Sequence, residues 1–221
     1  MLNNYSGSPR VLADVISITK NKYDIVLITS NSEGFLSNLN VNTIFIKYDW
    51  SENKIITLIR FIYAQLNFIF YSFKFSNRNN IFYINTQQPS IVALVGKIIG
   101  VNVVFHIHET STSQKYFGKF YKFIRRIVKG YEIFVSNYIY QKEVINSDRS
   151  TVIYNTVSDK ILKKSLNSTY RHYINNTFNV LMICSLRDYK GIPEFFELAK
   201  KFENDNSIKF NLLVDGTLPE I

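Results

Sequence analysis

The sequence predicts an α/β fold whose larger part is a doubly wound parallel sheet. Short runs that are apolar on both faces alternate with longer segments of helical pattern, which is typical of a parallel sheet covered by helices. The runs also end in small polar residues, and sheets of this kind place their ligand-binding loops at the carboxyl ends of the strands. Both observations indicate the same fold class.

Six apolar runs are expected to form the strands of this sheet. They cover residues 25–28, 43–48, 81–84, 101–107, 131–135 and 151–154. The helical segments before and between them cover residues 9–19, 52–73, 90–99, 112–129 and 138–145. Ser8 is a suitable N-cap for the first helix, with Pro9 at its first position, and Gly100 and Gly130 are suitable helix stops.

A polar stretch over residues 158–176 marks a domain junction. We therefore divide the chain into a Rossmann-like domain at 1–157, a linker at 158–177 and a partial second domain at 178–221. The second domain is expected to hold one β-α-β unit, built from residues 179–184, 192–202 and 208–214. A doubly wound domain begins with a strand, whereas here a loop comes first. We therefore expect a first domain that lacks its first strand, in a chain truncated at both ends.

The composition is that of a globular protein, since 46% of the 221 residues are hydrophobic and 19% are charged. The single cysteine, Cys184, excludes a disulfide scaffold and a cysteine-based zinc module. The formal net charge of +9 suits nucleic acid, an anionic membrane or a phosphorylated ligand. Nucleic acid is disfavoured, because the aromatic residues follow core periodicity and no recognition motif is present. The polar start of the chain predicts no signal peptide and a cytoplasmic location. A position on the inner face of the membrane is the alternative, and it rests on the basic segment 112–129.

Two predicted helix starts carry residues that suit anionic ligands. The run at residues 6–10, which includes Gly7, opens the first helix, where free N–H groups and the helix dipole suit a phosphate or a sugar oxygen. Arg187 and Lys190 lie just before the helix of the second domain, where two cations can hold a diphosphate. The alternatives are an ordinary helix cap at Gly7 and a solvated charged turn at the two cations.

The fourth apolar run ends in a cluster of titratable residues. His106 and His108 share one face of the strand, and Glu109 points the other way. Such a histidine pair can form the edge of a metal site, but no third ligand is evident nearby in the sequence. His108 or Glu109 can instead act as a base or contact a hydroxyl group. Polar residues that merely close a strand are the third interpretation.

Two helical segments raise the question of a membrane. Residues 112–129 combine an apolar stripe with lysines and arginines on the opposite side, which suits an anionic lipid surface or, equally, packing of the stripe on the sheet. Residues 55–73 approach the length of a membrane span, but Arg60, Gln65 and Asn67 interrupt them. We interpret this second segment as a buried or membrane-facing crossover helix.

Six segments resemble, in chain order, the retaining glycosyltransferases of family 4, also called group 1 glycosyltransferases, which have the GT-B fold. These segments are residues 6–12, 105–109, 134–136, 152–157, 184–192 and 212–216. The resemblance implies two Rossmann-like domains, of which the first binds the acceptor and the second binds a nucleotide-diphosphate sugar. It implies catalytic roles for His108 and Glu109, and donor-binding roles for Gly7, Arg187, Lys190 and Gly216.

The function implied by this resemblance is transfer of a sugar to a glycan or lipid-linked acceptor, as in polysaccharide biosynthesis. No cofactor and no metal are implied, because cations and helix termini neutralise the leaving diphosphate. The sequence departs from the family pattern in that Ser185 stands where the usual arginine is expected. The family's later pair of glutamates would lie beyond Ile221. We therefore expect an enzyme that is incomplete in this form, or alternatively a non-catalytic fragment or membrane-binding half of a split or truncated glycosyltransferase.

Overall fold

Parallel strands joined by helices make up both parts of the chain. The computed structural model describes residues 3–30, 33–47, 51, 53–86, 89–112, 118–157, 159–168, 177–186 and 190–215. Internal contacts divide the chain into Met1–Thr156 and Val157–Ile221, which we call unit 1 and unit 2. The polar stretch expected as a linker includes a helix, α6 (Asp159–Leu166).

Unit 1 follows the predicted alternation of strands and helices. Its strands are β1 (Val26–Ser30), β2 (Asn42–Ile46), β3 (Ile81–Ile84), β4 (Asn102–Ile107), β5 (Tyr131–Phe134) and β6 (Ser150–Val152). Its helices are α1 (Gly7–Thr19), α2 (Lys54–Lys74), α3 (Ser90–Ile99), α4 (Gly118–Val128) and α5 (Asn137–Glu143), with a short 3-10 helix at Ser147–Arg149. Strands β3 and β4 pair in parallel from Ile81 opposite Asn102 to Ile84 opposite Phe105, which confirms the predicted crossover through α3.

The six strands form two sheets rather than the single sheet expected. Strand β1 pairs with β2, and β3, β4, β5 and β6 follow one another in a second sheet. In the usual order of a doubly wound sheet, the first strand lies between the second and the fourth. No strand precedes α1 among the residues that the structure describes, so β1 and β3 have no strand between them to join them. Helix α1 contacts both strands instead, because its buried residues pack with Leu27 of β1 and with Tyr83 of β3.

Helices cover both faces of the four-stranded sheet, as the alternating side chains of β3 show. Phe82 and Ile84 point to one side, where they pack with Ala93 of α3 and Ile124 of α4. Tyr83 points to the other side and packs against the core of α1 and β1. Since successive side chains of a strand point to opposite faces, α1 and the α3–α4 pair lie on opposite sides of the sheet.

Two helix ends differ from the sequence prediction. Helix α1 begins at Gly7 with Ser6 as its N-cap, not at Pro9 with Ser8 as the cap. Helix α4 ends at Val128, and the residue with the left-handed backbone is Lys129 (φ 55°), not Gly130. Gly130 has a different reason to be glycine, because a Cβ there would lie 2.6 Å from the carbonyl oxygen of Val103. Gly100 ends α3 with a φ of 78°, as predicted.

A buried ion-pair network ties α4, β5 and α5 together. Arg125, only 1% exposed, donates through Nε to Glu132 at 2.8 Å and through Nη1 to Glu143 at 3.3 Å. The second oxygen of Glu132 accepts from the backbone N–H of Ile145 and from the hydroxyl of Ser150. The sequence alone does not indicate this network, because the spacing of charges along α4 does not show that Arg125 points inward.

Unit 2 contains the expected β-α-β arrangement. Strands β7 (Phe178–Ser185) and β8 (Ile208–Asp215) pair in parallel, and α7 (Ile192–Lys201) connects them. The rings of Phe195 and Phe202 lie 5.5 and 6.0 Å from that of Phe210, which places α7 on one face of the strand pair. On the other face Leu181, Ile183 and Leu213 are 60%, 67% and 60% exposed.

Candidate functional site

Polar side chains from two neighbouring strands of unit 1 meet at the carboxyl ends of β3 and β4, on the face that α1 covers. Asn85 directly follows β3, His106 lies within β4, and His108 directly follows it. The alternation of strand side chains puts all three on the same side as Tyr83. The start of α1 lies against them, because Asn85 Nδ2 donates to the carbonyl oxygen of Ser8 at 2.9 Å.

This contact with Ser8 determines the tautomer of His108. A backbone carbonyl only accepts hydrogen bonds, so the Nδ2 amide of Asn85 must face Ser8 and its Oδ1 must face His108. The distance from Asn85 Oδ1 to His108 Nε2 is 3.1 Å, so that Nε2 carries the proton and donates it. In the neutral ring, Nδ1 of His108 is therefore the nitrogen with a free lone pair for chemistry.

The ring of His106 lies beside that of His108. Its Nδ1 lies 2.7 Å from the Tyr83 hydroxyl, and the centres of the two histidine rings are 4.4 Å apart. His106 is 4% exposed, and its Nε2 has no hydrogen-bond partner among the residues that the structure describes; the same holds for the buried Oγ1 of Thr86. An unsatisfied buried polar atom costs about 1–3 kcal/mol, so each of these two atoms, taken by itself, suits contact with a bound ligand or water.

Burial keeps the histidines of this cluster uncharged at neutral pH. It lowers the pKa of His106 from its ordinary value of 6.5 to about 4. Burial, together with the charge that His106 would carry, likewise lowers the pKa of His108 to about 4. Burial also raises the pKa of Tyr83 to about 12, so this hydroxyl keeps its proton. The cluster is therefore a chain of neutral hydrogen-bonding groups.

The amino terminus of α1 is open at Gly7. A Cβ placed on Gly7 would meet no heavy atom within 4 Å among the described residues. The N-cap residue Ser6 makes no side-chain cap bond, since its hydroxyl lies 2.5 Å from Oδ1 of Asn4. No acidic residue occupies the first turn. The first N–H groups and the positive end of the helix dipole can thus meet an anion or a sugar oxygen, as the sequence predicts.

Glu109 is exposed and directly follows His108. The loop that carries it is bound to Glu143 through Ser111. Glu143 Oε1 accepts from both the N–H and the hydroxyl of Ser111, each at 2.7 Å. Burial would raise the pKa of Glu143, but these two bonds and the charges of Lys122 and Arg125 outweigh burial and lower it. An ionised Glu143 therefore anchors the loop that carries His108 and Glu109.

The candidate residues of unit 2 are only partly within the described structure. Lys190 is exposed and directly precedes the N-cap of α7, Gly191, whose φ of 78° favours glycine. Glu194 lies in the first turn of α7. Arg187 and Gly216 lie outside the described residues, so their predicted roles in donor binding stay predictions.

The sequence alone does not assign Tyr83 and Asn85 to the unit 1 cluster. Tyr83 and Asn85 are two residues apart, as His106 and His108 are, so each pair points to one face of its strand. Only the register, with Tyr83 opposite Val104, puts the two pairs on the same face of the sheet. No group of three or more histidine, cysteine, aspartate or glutamate side chains within the described ranges could hold a metal ion.

No protein-family model and no curated protein matches this chain. Among solved structures, the chain is similar to the glycosyltransferase of kitacinnamycin, with a TM-score of 0.59 at 7% identity. It is also matched to a spinosyn rhamnosyltransferase in complex with spinosyn aglycone, with a TM-score of 0.43 at 10% identity. Each match covers 96% of this chain and 64% of the other, so this chain spans less than two thirds of either protein. The first likeness shows a fold, and that fold is the GT-B-like α/β arrangement of parallel sheets that the sequence predicts.

Proposed function

We propose that the chain belongs to a retaining glycosyltransferase similar to family 4, which moves a sugar from a nucleotide-diphosphate sugar to a glycan or lipid-linked acceptor. The observation that carries the proposal is the neutral Ser8–Asn85–His108 chain beside the open amino terminus of α1. The GT-B-like fold supports it. In sheets of this kind, the carboxyl ends of the strands are where ligands bind.

In this proposal, His108 contacts a hydroxyl of the transferred sugar or of the acceptor through Nδ1. Its low pKa leaves that nitrogen unprotonated at neutral pH, so it accepts a hydrogen bond without adding a positive charge. The unpartnered Nε2 of His106 and Oγ1 of Thr86 are further candidates for ligand contact. Glu109 follows on the exposed loop, where it can meet the acceptor.

The bond that breaks joins the anomeric carbon to the diphosphate, and the bond that forms joins the same carbon to the acceptor oxygen, whose proton is released. The main electrostatic task is to stabilise the leaving diphosphate. In unit 2, Lys190 and Arg187 supply positive charge for it, and Gly216 lets a backbone N–H group approach the phosphates. In unit 1, Gly7 leaves the start of α1 open to an anion or a sugar oxygen. Each such contact is worth roughly 10²–10³ in rate.

The test is calorimetric titration of the chain with nucleoside diphosphates and their sugars, together with an assay for sugar transfer. We expect weak binding, which Lys190→Ala weakens further, and little turnover, because the described part of unit 2 holds one β-α-β unit. Lys200→Ala, at the opposite end of α7, is the matched control and should bind as the unsubstituted chain does. Binding that Lys190→Ala leaves unchanged would contradict the assigned diphosphate contact.

A second candidate function is that of a non-catalytic half of a split glycosyltransferase. It is favoured by the exposed face of β7 and β8, since a parallel sheet is normally covered on both faces. Sugar transfer by the chain alone would exclude it. Turnover that arises only when a second polypeptide is added would support it over the first candidate.

A further inference from the structure

Helix α2 presents its more apolar side outward. The residues turned inward include Ala64 and Ser72, which are buried, and Thr57, which is half-buried. The side turned outward carries bulky residues that are each between 50% and 69% exposed: Ile55, Leu58, Ile59, Ile62, Tyr63, Leu66, Phe70 and Phe73. A helix on the surface of a water-soluble domain shows the opposite arrangement, so this side of α2 is built to be covered.

Helices α3 and α4 extend this surface, since α3 packs against both α2 and α4. Ile98 of α3 is 79% exposed, and Phe120 and Phe123 of α4 are 51% and 56% exposed. The apolar stripe predicted for residues 112–129 is divided, because Tyr121 and Ile124 are buried whereas Phe120 and Ile127 are exposed. Helix α4 is therefore the border of the apolar surface, and α2 contributes its largest part.

The charges of these three helices have one sign. None of the residues of α2, α3 and α4 is Asp or Glu. Exposed cations lie on all three helices: Lys74 on α2, Lys97 on α3, and Lys119 and Arg126 on α4. Lys122 and Arg125 are already paired with Glu143. Apolar side chains beside cations, with no acidic residue among them, are complementary to the acyl chains and phosphates of an anionic bilayer.

We propose that the surface formed by α2, α3 and α4 docks on an anionic lipid bilayer, with the outward side of α2 in the boundary between headgroups and acyl chains. Lys97 and Arg126 would then meet lipid phosphates. The proposal does not depend on sugar transfer, and it places the main contact on α2 instead of on residues 112–129. Helix α2 lies along the bilayer and does not cross it, because its inward side packs against α3.

The test is co-sedimentation of the chain with vesicles of phosphatidylcholine alone or of phosphatidylcholine mixed with phosphatidylglycerol. We expect binding to the mixed vesicles that weakens with added salt. The double variant Ile59→Gln/Ile62→Gln should bind about tenfold less or weaker still, because even one well-buried apolar side chain is worth that factor. Ile18→Gln/Tyr23→Gln replaces two comparably exposed apolar residues outside this surface and should bind normally.

Separate variants test the contribution of positive charge to vesicle binding. Lys119→Gln/Arg126→Gln should lower binding about fivefold for each charge removed, whereas Lys20→Gln/Lys22→Gln should leave it unchanged. A fluorescent label at Ile62→Cys, in a Cys184→Ser background, should report an apolar environment on mixed vesicles, and a label at Ile18→Cys should not. This second measurement works even where a polar variant folds poorly.

Three results would overturn the proposal. The first is equal binding to neutral and mixed vesicles, and the second is unchanged binding by the α2 variant. The third is self-association in the absence of lipid that Ile59→Gln/Ile62→Gln abolishes, without vesicle binding by the unsubstituted chain. That result would assign the surface to a second copy of the chain.

Discussion

At the scale of single residues, the chemistry of His108 depends on two groups that are distant in sequence. Asn85 is oriented by the Ser8 carbonyl and in turn accepts from Nε2 of His108. A histidine at a strand end can adopt either tautomer in solution, so the hydrogen bond from its ring decides which nitrogen is free. The position of Asn85 thus fixes the proton of His108 on Nε2 and leaves Nδ1 as the nitrogen that can accept.

Replacement of Asn85 by alanine should remove the preference of His108 for the Nε2–H tautomer. In the unsubstituted chain we expect the Nε2–H form to dominate at neutral pH, and in Asn85→Ala we expect both tautomers to be populated. Long-range ¹H–¹⁵N spectra of the histidine rings measure the two forms directly. Asn102→Ala, at an exposed position in β4, is the control and should leave His108 unchanged. A dominant Nδ1–H form in the unsubstituted chain would disprove the assignment.

The buried histidines should also make stability depend on pH. Their pKa values of about 4 in the folded chain lie below the ordinary 6.5, so between these values the unfolded chain binds more protons. The free energy of unfolding should therefore fall as the pH drops from about 6.5 to about 4, by at most about 1.4 kcal/mol per pH unit for each histidine. Urea unfolding of the chain and of His106→Gln/His108→Gln measures the effect. A NMR titration midpoint near 6.5 for either ring would contradict it.

At the scale of elements, the Arg125 network decides how α4, β5 and α5 sit together. Glu132 and Glu143 are 4% and 2% exposed, so each depends on Arg125 to offset the loss of water. The network also reaches the site, because the same Glu143 holds Ser111 in the loop after His108. A buried charge network in this position therefore helps to determine how the elements pack, and it also affects stability.

Arg125→Met should destabilise the chain by about 3–5 kcal/mol, because it leaves the buried Glu132 without its cation and Glu143 with Lys122 alone. Arg126→Met replaces the neighbouring arginine, which is exposed, and should change the free energy of unfolding by no more than about 0.5 kcal/mol. Urea denaturation followed by circular dichroism gives both values. Equal effects of the two substitutions would show that Arg125 is not held as described.

At the scale of the whole molecule, the two units differ in how well they bury their apolar residues. Unit 1 has a four-stranded sheet with helices on both faces. The described part of unit 2 has two paired strands with α7 on one face, and Leu181, Ile183 and Leu213 are exposed on the other. A pair of strands is marginally stable in water, so unit 2 has little core of its own.

The two units should therefore differ when they are expressed apart. We expect residues 1–156 to unfold in one cooperative transition, and residues 157–221 to show no cooperative transition at all. Thermal unfolding followed by circular dichroism, at several protein concentrations, tests both expectations. A sharp, concentration-independent transition of residues 157–221 would show that their exposed face does not limit stability.

Much of the fold could be predicted because it rests on local patterns. The apolar runs at 81–84 and 101–107 became the parallel pair β3 and β4, and Gly100 ended α3 with a left-handed backbone. The site could be predicted in part, since His108 and Gly7 do lie beside the same edge of the sheet. Arg187 and Gly216 lie outside the described residues, and Tyr83 and Asn85 could not be assigned before the strand pairing was known.

The sequence by itself determined the α/β class and the order of strands and helices, because these depend on the periodicity of apolar residues and on turn chemistry. Only the tertiary structure decided which of these residues meet. It split the strands into two sheets, turned Arg125 inward and the apolar side of α2 outward, and placed Asn85 between Ser8 and His108. The physical reason is that the direction of a side chain follows from local geometry, whereas what it contacts depends on which elements pack beside it.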